Sequence, residues 1–597
     1  MSAVRARQPA RPTPLLLDGV VPVPTETADR YRAAGYWTDQ TLGSLVREAA
    51  ATWPDATALV DAALVDAALV DAAGVEGTRS LTYADLDRAA DELAHGFAAL
   101  GLRRGDRVVV QLPSACELVE VLVALGRSGI VPVLALPAHR RTEVEYFAAH
   151  TGAVALVSAG VEQGFDHAAL AREVGGSVAS VRHVVVAGGM PAASVVPGHD
   201  EQGPFTVHTL DDVRRADLTA AHGPFEDAAH PSDVVLLQLS GGTTGTPKLI
   251  PRTHADYLYS VRESARICGL GPDSVYLAAL PVAHNYGLTS PGVLGVLHAG
   301  GTVVLSPHGA PDVAFGLIER HRITHVALVP PLAHVWAASP LVAAHDLSSL
   351  EVLQVGGAKL GTSAAGRLIE VFGDTLQQVF GMAEGLVCYT RPGDPREVVV
   401  GTQGRPVSPA DEVLVVDDDD RPVPPGEPGH LLTRGPYTIR GYYRAPEHDA
   451  RSFTADGFYR TGDLVTRDAD GYLTVVGRAK EQINRGGEKI APAEVENHLR
   501  AHPGVLDASV VGEPDEYLGE RAVARVVPRT GVVAPTGPAL RRFLRERGIA
   551  AYKVPDRFET VEALATTAVG KVDRAHPAAA PAAPADPEPR TQPWSPR

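Results

Sequence analysis

Residues 240–248 read Ser-Gly-Gly-Thr-Thr-Gly-Thr-Pro-Lys and follow directly on the run Val-Val-Leu-Leu-Gln-Leu at 234–239. A buried strand opening into a loop rich in Gly and Thr suits a triphosphate. Glycines let the backbone approach the phosphates, and its N–H groups, with the threonine hydroxyls, can ring the oxygens. Ser240, Gly241, Gly242, Thr243, Thr244 and Gly245 supply that ring, and Lys248 adds a compact positive charge. The spacing does not fit Gly-x-x-x-x-Gly-Lys-[Ser/Thr], so this is not a Walker A loop. Taken alone, the stretch reads equally well as a Gly-rich surface turn. The segments further along the chain decide between the two.

Those segments are Val-Phe-Gly-Met-Ala-Glu-Gly at 379–385, Tyr-Arg-Thr-Gly-Asp at 459–463, Gly-Arg-Ala-Lys-Glu-Gln-Ile-Asn-Arg-Gly-Gly-Glu-Lys at 477–489 and Val-Gly-Lys at 569–571. With the loop at 240–248, and in this order, the chain resembles the adenylate-forming superfamily: acyl- and aryl-CoA synthetases, adenylation domains of peptide synthetases and firefly luciferase. The resemblance implies an enzyme that activates a carboxylic acid with ATP. A carboxylate then attacks the α-phosphorus and pyrophosphate leaves. Two anions must meet, so the site needs cations, a metal ion and donors aimed at the developing charge.

Glu384 lies just after the strand-like stretch 376–380. A lone carboxylate there can hold Mg²⁺ through one oxygen while ATP supplies other ligands, or it can cap a helix; the resemblance implies the metal. By itself Asp463 reads as a turn aspartate. The resemblance implies that it accepts hydrogen bonds from the ribose diol, with Arg478 reaching the ribose or the α-phosphate side. Phe380, by residue type a core side chain, is implied to stack on adenine opposite the backbone of Gly356, Gly357 and Ala358, where missing side chains admit a flat base. Val379 and Gly381 belong to the same ATP site. Lys571 is implied to bridge the attacking carboxylate and the α-phosphate, with His284 as a second catalytic group. Its segment departs from the common Pro-x-Thr-x-x-Gly-Lys in having Ala565 where proline is usual. Lys480 is the implied hinge of a mobile C-terminal domain, and Gly486 and Gly487 would let a thiol arm pass.

The stretch Pro281–Gly292, with Gln354–Lys359 and Gln377–Val387, is similar to the stand-alone aryl-acid ligases that feed siderophore synthesis. Asn285 and Tyr286 then contact the aryl acid, and Ser290 meets a 3-hydroxyl. Gly356, Met382 and Val387 complete the pocket. An unpaired buried amide is costly, so Asn285 should select an ortho hydroxyl. Gly287 stands where proline is frequent and Thr289 where serine is, and no Asp occupies the asparagine position to hold an α-ammonium. The implied substrate is 2,3-dihydroxybenzoate, with ATP and Mg²⁺. The implied acceptor is the phosphopantetheine thiol of an aryl carrier protein supplied in trans. Salicylate, 3-hydroxypicolinate or coenzyme A as acceptor remain alternatives within the class. A luciferase-like oxygenase and a non-catalytic nucleotide-binding protein are alternatives outside it.

These residues need elements to position them. Short β-branched runs alternate with amphipathic stretches. Tyr83–Leu100 reads as a helix with Leu86, Ala90, Leu93 and Phe97 on one face, ended by Gly101. Arg107–Leu112, Val131–Leu136, His183–Ala187, Val275–Leu280, Thr302–Leu305, His325–Val329 and Val352–Val355 read as strands. Strands alternating with helices predict an α/β fold of parallel sheets buried on both faces. The expected organisation is a flexible 1–20 and an N-terminal domain over 21–477 with a β-rich subdomain from about 395. A mobile α+β domain over 478–574, hinged at 480, and a disordered Ala- and Pro-rich 575–597 follow. Residues 58–72 are three copies of Ala-Leu-Val-Asp-Ala; a period of five fits neither helix nor strand, and predicts an expanded hairpin loop.

Composition narrows the partners. With 597 residues the chain has room for more than one core, and its formal net charge of −17 argues against nucleic acid or an anionic membrane. The three cysteines lack metal-ligand spacing, which points to a reducing compartment. With no apolar leader or spanning run, the expectation is a soluble cytoplasmic protein.

Overall fold

The computed structural model describes residues 12–62, 79–188, 205–216, 224–240, 247–485, 488–515, 518–547, 549, 551–567 and 572–573. Runs of Val, Ile and Leu without a polar face form parallel strands covered on both sides, as that pattern requires. Arg107–Gln111, Val131–Leu134, Ala155–Ala159 and His183–Ala187 run parallel in a seven-stranded sheet. One edge of this sheet is the antiparallel pair Val234–Leu239 and Leu249–Thr253. A nine-stranded sheet sets Val275–Ala278, Thr302–Leu305, His325–Leu328, Val352–Val355 and Leu376–Gly381 parallel to one another. The helix Tyr83–Ala99 starts where Thr82 and Asp85 exchange capping hydrogen bonds, and it buries Leu86, Ala90, Leu93 and Phe97. The α/β class expected from the sequence is the class observed.

Shorter strands follow. Glu412–Val416, Gly429–Arg434, Tyr459–Arg467 and Leu473–Arg478 make a four-stranded antiparallel sheet. The chain divides into two compact units between Lys480 and Glu481. In the second unit, Val505–Asp515 and Gly519–Pro528 form a long antiparallel pair, with Arg557–Thr560 parallel to the latter. The helices Pro492–Arg500 and Gly537–Glu546 contribute Val495, Leu499, Leu540 and Leu544 to its core. Among the described residues no helix is long and apolar enough to cross a membrane.

The repeat at 58–72 needs a correction. Its first copy is not loop: Thr57–Asp61 is a strand, parallel to Thr302–Leu305 and antiparallel to Arg79–Thr82. Ala-Leu-Val-Asp is a short, largely apolar run, and between two neighbours it buries Leu59 and Val60 whatever the repeat period. The rest of the repeat lies outside the described residues.

Asp411, in the turn before Glu412–Val416, accepts hydrogen bonds from the Tyr437 hydroxyl at 2.6 Å and the Ser408 amide at 3.2 Å. Burial raises its carboxyl to about 7. That is well above the unfolded value of about 3.9, so between those two values the native state binds the extra proton. Stability from this group is therefore full at low pH and is lost as pH rises towards 7. We predict that the melting temperature of the native protein, measured against Asp411→Asn at matched pH, falls between pH 5 and pH 8. A constant difference would show that Asp411 is already ionised at pH 5.

Candidate active site

The hairpin Val234–Leu239/Leu249–Thr253 is closed by its flanks: the Ser240 amide donates to the Lys248 carbonyl at 2.9 Å, and the Lys248 amide donates to Ser240 Oγ at 3.0 Å. Gly241, Gly242, Thr243, Thr244 and Gly245 lie outside the described residues. Lys248 Nζ stands 5.8 Å from the centre of the Tyr442 ring.

The hydroxyl of that tyrosine donates to Glu384 Oε1 at 2.8 Å, and the Tyr442 and Tyr459 hydroxyls are 2.9 Å apart. Glu384 is only 8% exposed, so the phenol replaces hydration that burial has removed. Burial, reinforced by Glu384, holds the Tyr442 hydroxyl far above its ordinary range, and it stays a donor. Arg252 supports the same turn by donating from Nη1 to the Ala383 carbonyl at 2.9 Å, while its Nε pairs with Asp256 at 2.7 Å. These contacts set phenol hydroxyls beside the Glu384 carboxylate, and no group of three or more His, Cys, Asp or Glu suited to a metal occurs among the described residues. One carboxylate oxygen suits a hard cation that keeps water and phosphate as its other ligands.

Asp463 sits on Tyr459–Arg467, in register with Arg478 on Leu473–Arg478, and their side chains pair at 2.7 Å from Nε to Oδ1. Asp463 is 3% exposed and its amide donates to Thr461 Oγ1 at 3.0 Å. The structure thus joins these two carboxylate and guanidinium groups in one patch.

Gly356 follows the strand Val352–Val355. A Cβ there would lie 2.8 Å from the Val379 carbonyl oxygen and 3.1 Å from Tyr286 Cζ, so three residues singled out in the sequence meet at this point. Gly357 has φ +80°, the left-handed region that favours glycine, and Ala358 is exposed. Phe380 is half-buried opposite Cys388, and Gly381 lies opposite Val387. The Met382 amide donates to the Leu386 carbonyl at 3.1 Å. The Val387 amide donates to the Tyr437 hydroxyl at 3.2 Å.

His284 caps the short helix Asn285–Thr289 by accepting the Tyr286 amide at its Nδ1, 3.3 Å away. Asn285, Tyr286 and Ser290 are buried. Gly486, Gly487 and Lys571 lie outside the described residues; Lys480 falls within the 3-10 turn Ala479–Glu481.

Three contributors escaped the sequence reading. Tyr442 stands in Arg-Gly-Tyr-Tyr, where nothing local singles out one tyrosine. Tyr459 opened a motif that was read only for its aspartate. Arg252 carried a signal: an arginine inside an apolar strand, four residues before Asp256.

The close approach at Gly356 is testable. Gly356→Ala must displace Tyr286 or the Val379 backbone, a strain of about 1–3 kcal/mol by the usual cost of overpacking. We expect a lowered melting temperature in thermal denaturation. An unchanged melting curve would mean that the contact relaxes freely.

The chain matches the AMP-binding enzyme family over residues 46–443 and the AMP-binding enzyme C-terminal domain over 494–571. It is 52% identical over 559 residues to the 2,3-dihydroxybenzoate-AMP ligase of Bacillus subtilis (strain 168), covering 94% of this chain and 97% of that one. It is 45% identical over 560 residues to the salicyl-AMP ligase / salicyl-S-ArCP synthetase of Mycobacterium tuberculosis, covering 94% of each. The apo structure of MbtA from Mycobacterium smegmatis superposes with a TM-score of 0.68 at 47% identity, covering 93% of this chain and 98% of that one. On these matches, which span both compact units, the chain belongs to the AMP-binding enzyme family.

Proposed function

We propose that the protein adenylates 2,3-dihydroxybenzoate with ATP, releasing pyrophosphate. It then passes the aryl group to the phosphopantetheine thiol of an aryl carrier protein, in the cytoplasm. The observation that carries this reading is the buried pair Asn285 and Tyr286, with Tyr286 Cζ only 3.1 Å from where a Cβ on Gly356 would stand. It offers an apolar slot for a flat ring and one polar group at its side. The names of the relatives support the acid and the acceptor: one is called a 2,3-dihydroxybenzoate-AMP ligase and another a salicyl-S-ArCP synthetase.

In the first half-reaction a carboxylate oxygen of the acid bonds to the α-phosphorus, and the bond from that phosphorus to pyrophosphate breaks. The amides of the 240–248 loop and Lys248 hold the leaving phosphates. Glu384 would hold Mg²⁺, and the ion would supply positive charge against the phosphates. Asp463 takes the ribose diol, Arg478 fixes that carboxylate, and adenine lies between Phe380 and the Gly356–Ala358 backbone. Val379 and Gly381 shape this face, and Ser290, Met382 and Val387 bound the aryl ring. His284 fixes the start of the helix that carries Asn285 and Tyr286. Lys571 meets the negative charge passing between carboxylate and α-phosphate. In the second half-reaction the thiol sulfur attacks the carboxyl carbon and AMP leaves, with Lys480 as hinge and Gly486 and Gly487 beside the thiol arm.

Exchange of labelled pyrophosphate into ATP across a panel of aryl acids tests the reading. 2,3-Dihydroxybenzoate should support exchange and benzoate should be poorer by up to about 10⁴-fold, the scale on which a site built for a hydroxyl rejects the deoxy analogue. Equal rates would remove Asn285 from substrate selection. The two half-reactions should also separate. Proline at 480 fixes φ, so Lys480→Pro should keep exchange and lose carrier loading. Lys571→Ala should lose adenylation by on the order of 10²–10³ yet still transfer a supplied aryl-AMP. Loss of both half-reactions in both variants would rule out a hinge that serves only the second.

A further inference from the structure

Behind Asn285 lies a hydrogen-bonded line of buried side chains. Tyr257, on the helix His254–Ile267, donates its hydroxyl to Asn285 Oδ1 at 3.0 Å. Gln238, on the strand Val234–Leu239, donates from Nε2 to the Tyr257 hydroxyl at 3.2 Å. Thr289 adds a second, longer approach to Asn285 Oδ1 at 3.4 Å while donating to the Asn285 carbonyl at 3.0 Å. Tyr257, Gln238 and Thr289 are each no more than 2% exposed. Burial pushes the Tyr257 phenol up to about 12, so it carries its proton at any physiological pH. The Arg252 guanidinium lies over the Tyr257 ring, 4.8 Å from its centre.

An asparagine amide has an acceptor end and a donor end, and a buried one turns to satisfy its neighbours. Here the acceptor end is engaged from within the protein. The NH₂ end is what Asn285 can present to a ligand. We propose that Tyr257 and Gln238 are positioning residues that lock the Asn285 amide with its NH₂ towards the substrate, so that the site selects an acid whose ortho substituent is a hydrogen-bond acceptor. The inference rests on the aryl-acid reading above and refines it from "a polar group at the 2-position" to a direction of hydrogen bonding.

The chemistry of the acid fits this direction. In a 2-hydroxybenzoate the phenolic proton is held by the adjacent carboxylate, which leaves the phenol oxygen to accept from outside. In a 2-aminobenzoate one N–H makes the same internal bond, and the other points outwards as a donor. A locked NH₂ therefore meets an acceptor in the first acid and another donor in the second. Two donors facing each other in a dry site leave both unpaired.

The test compares 2,3-dihydroxybenzoate with 3-hydroxyanthranilate, which differ only at position 2, in pyrophosphate exchange. The native protein should prefer the first. Tyr257→Phe removes one oxygen and frees the amide to turn its carbonyl outwards. The ratio of kcat/KM for the two acids should then fall by about tenfold, the scale of one buried hydrogen bond exchanged for another. Gln238→Leu breaks the line one residue further back and should move the ratio in the same sense; it also serves if Tyr257→Phe does not fold. A merely structural role would lower both acids alike and leave the ratio unchanged, and that result in both variants overturns the inference. Failure of the native protein to exchange with any 2-hydroxyaryl acid would instead overturn the aryl-acid reading itself.

Discussion

The hydrogen bond from Tyr442 to Glu384 holds together parts of the chain that are otherwise far apart in sequence. A carboxylate with this little exposure must be given donors by the protein, or burial penalises its charge. Tyr442 gives one, and in doing so it also bonds Tyr459 and faces the ammonium of Lys248. Tyr459 opens the strand that carries Asp463, and Lys248 bonds Ser240 across the hairpin Val234–Leu239/Leu249–Thr253. The hairpin that ends at Lys248, the candidate metal carboxylate and the Asp463–Arg478 pair are thus referred to one another through a single phenol. Arg252 does the same from beneath, reaching from the hairpin's second strand to the carbonyl of Ala383.

The candidate wall around Asn285, Tyr286 and Gly356 is built on a different principle. Its surfaces are set by close packing: Gly356 lets the Tyr286 ring and the Val379 backbone approach to distances that any side chain would prevent. Its polar content is small and is oriented from behind. Tyr257 and Thr289 reach Asn285 Oδ1, and Gln238 stands behind Tyr257. Arg252 belongs to both halves of the site, since it touches the Glu384 turn through Ala383 and the Asn285 wall through the Tyr257 ring. A charge that cannot be lost and a planar fork of donors make arginine suited to that double task.

Strands such as His183–Ala187, Thr302–Leu305 and Val352–Val355 were legible in the sequence to the residue, because a doubly buried strand is a run of apolar residues with no need of a periodic pattern. The same rule explains the one misreading. The first copy of Ala-Leu-Val-Asp-Ala was set aside for its period of five, yet a strand needs only one such run and two neighbours to bury it. The family was legible as well, since glycine spacing and the order of short segments are properties of the chain and not of its packing.

Tyr442, Arg252, Tyr257 and Gln238 were not legible, and the reason is common to them. Each is a residue type frequent in any core, and each acts through a partner brought near only by sheet order: Arg252 meets Ala383 across 131 residues, Tyr442 meets Glu384 across 58, and Tyr257 meets Asn285 across 28. By itself the sequence determined the elements, the family and which groups are available for chemistry, because those depend on local pattern. Only the tertiary structure decided that Tyr257 meets the Asn285 side chain and which donors serve Glu384. Those depend on hydrogen bonds between segments whose meeting no local pattern encodes.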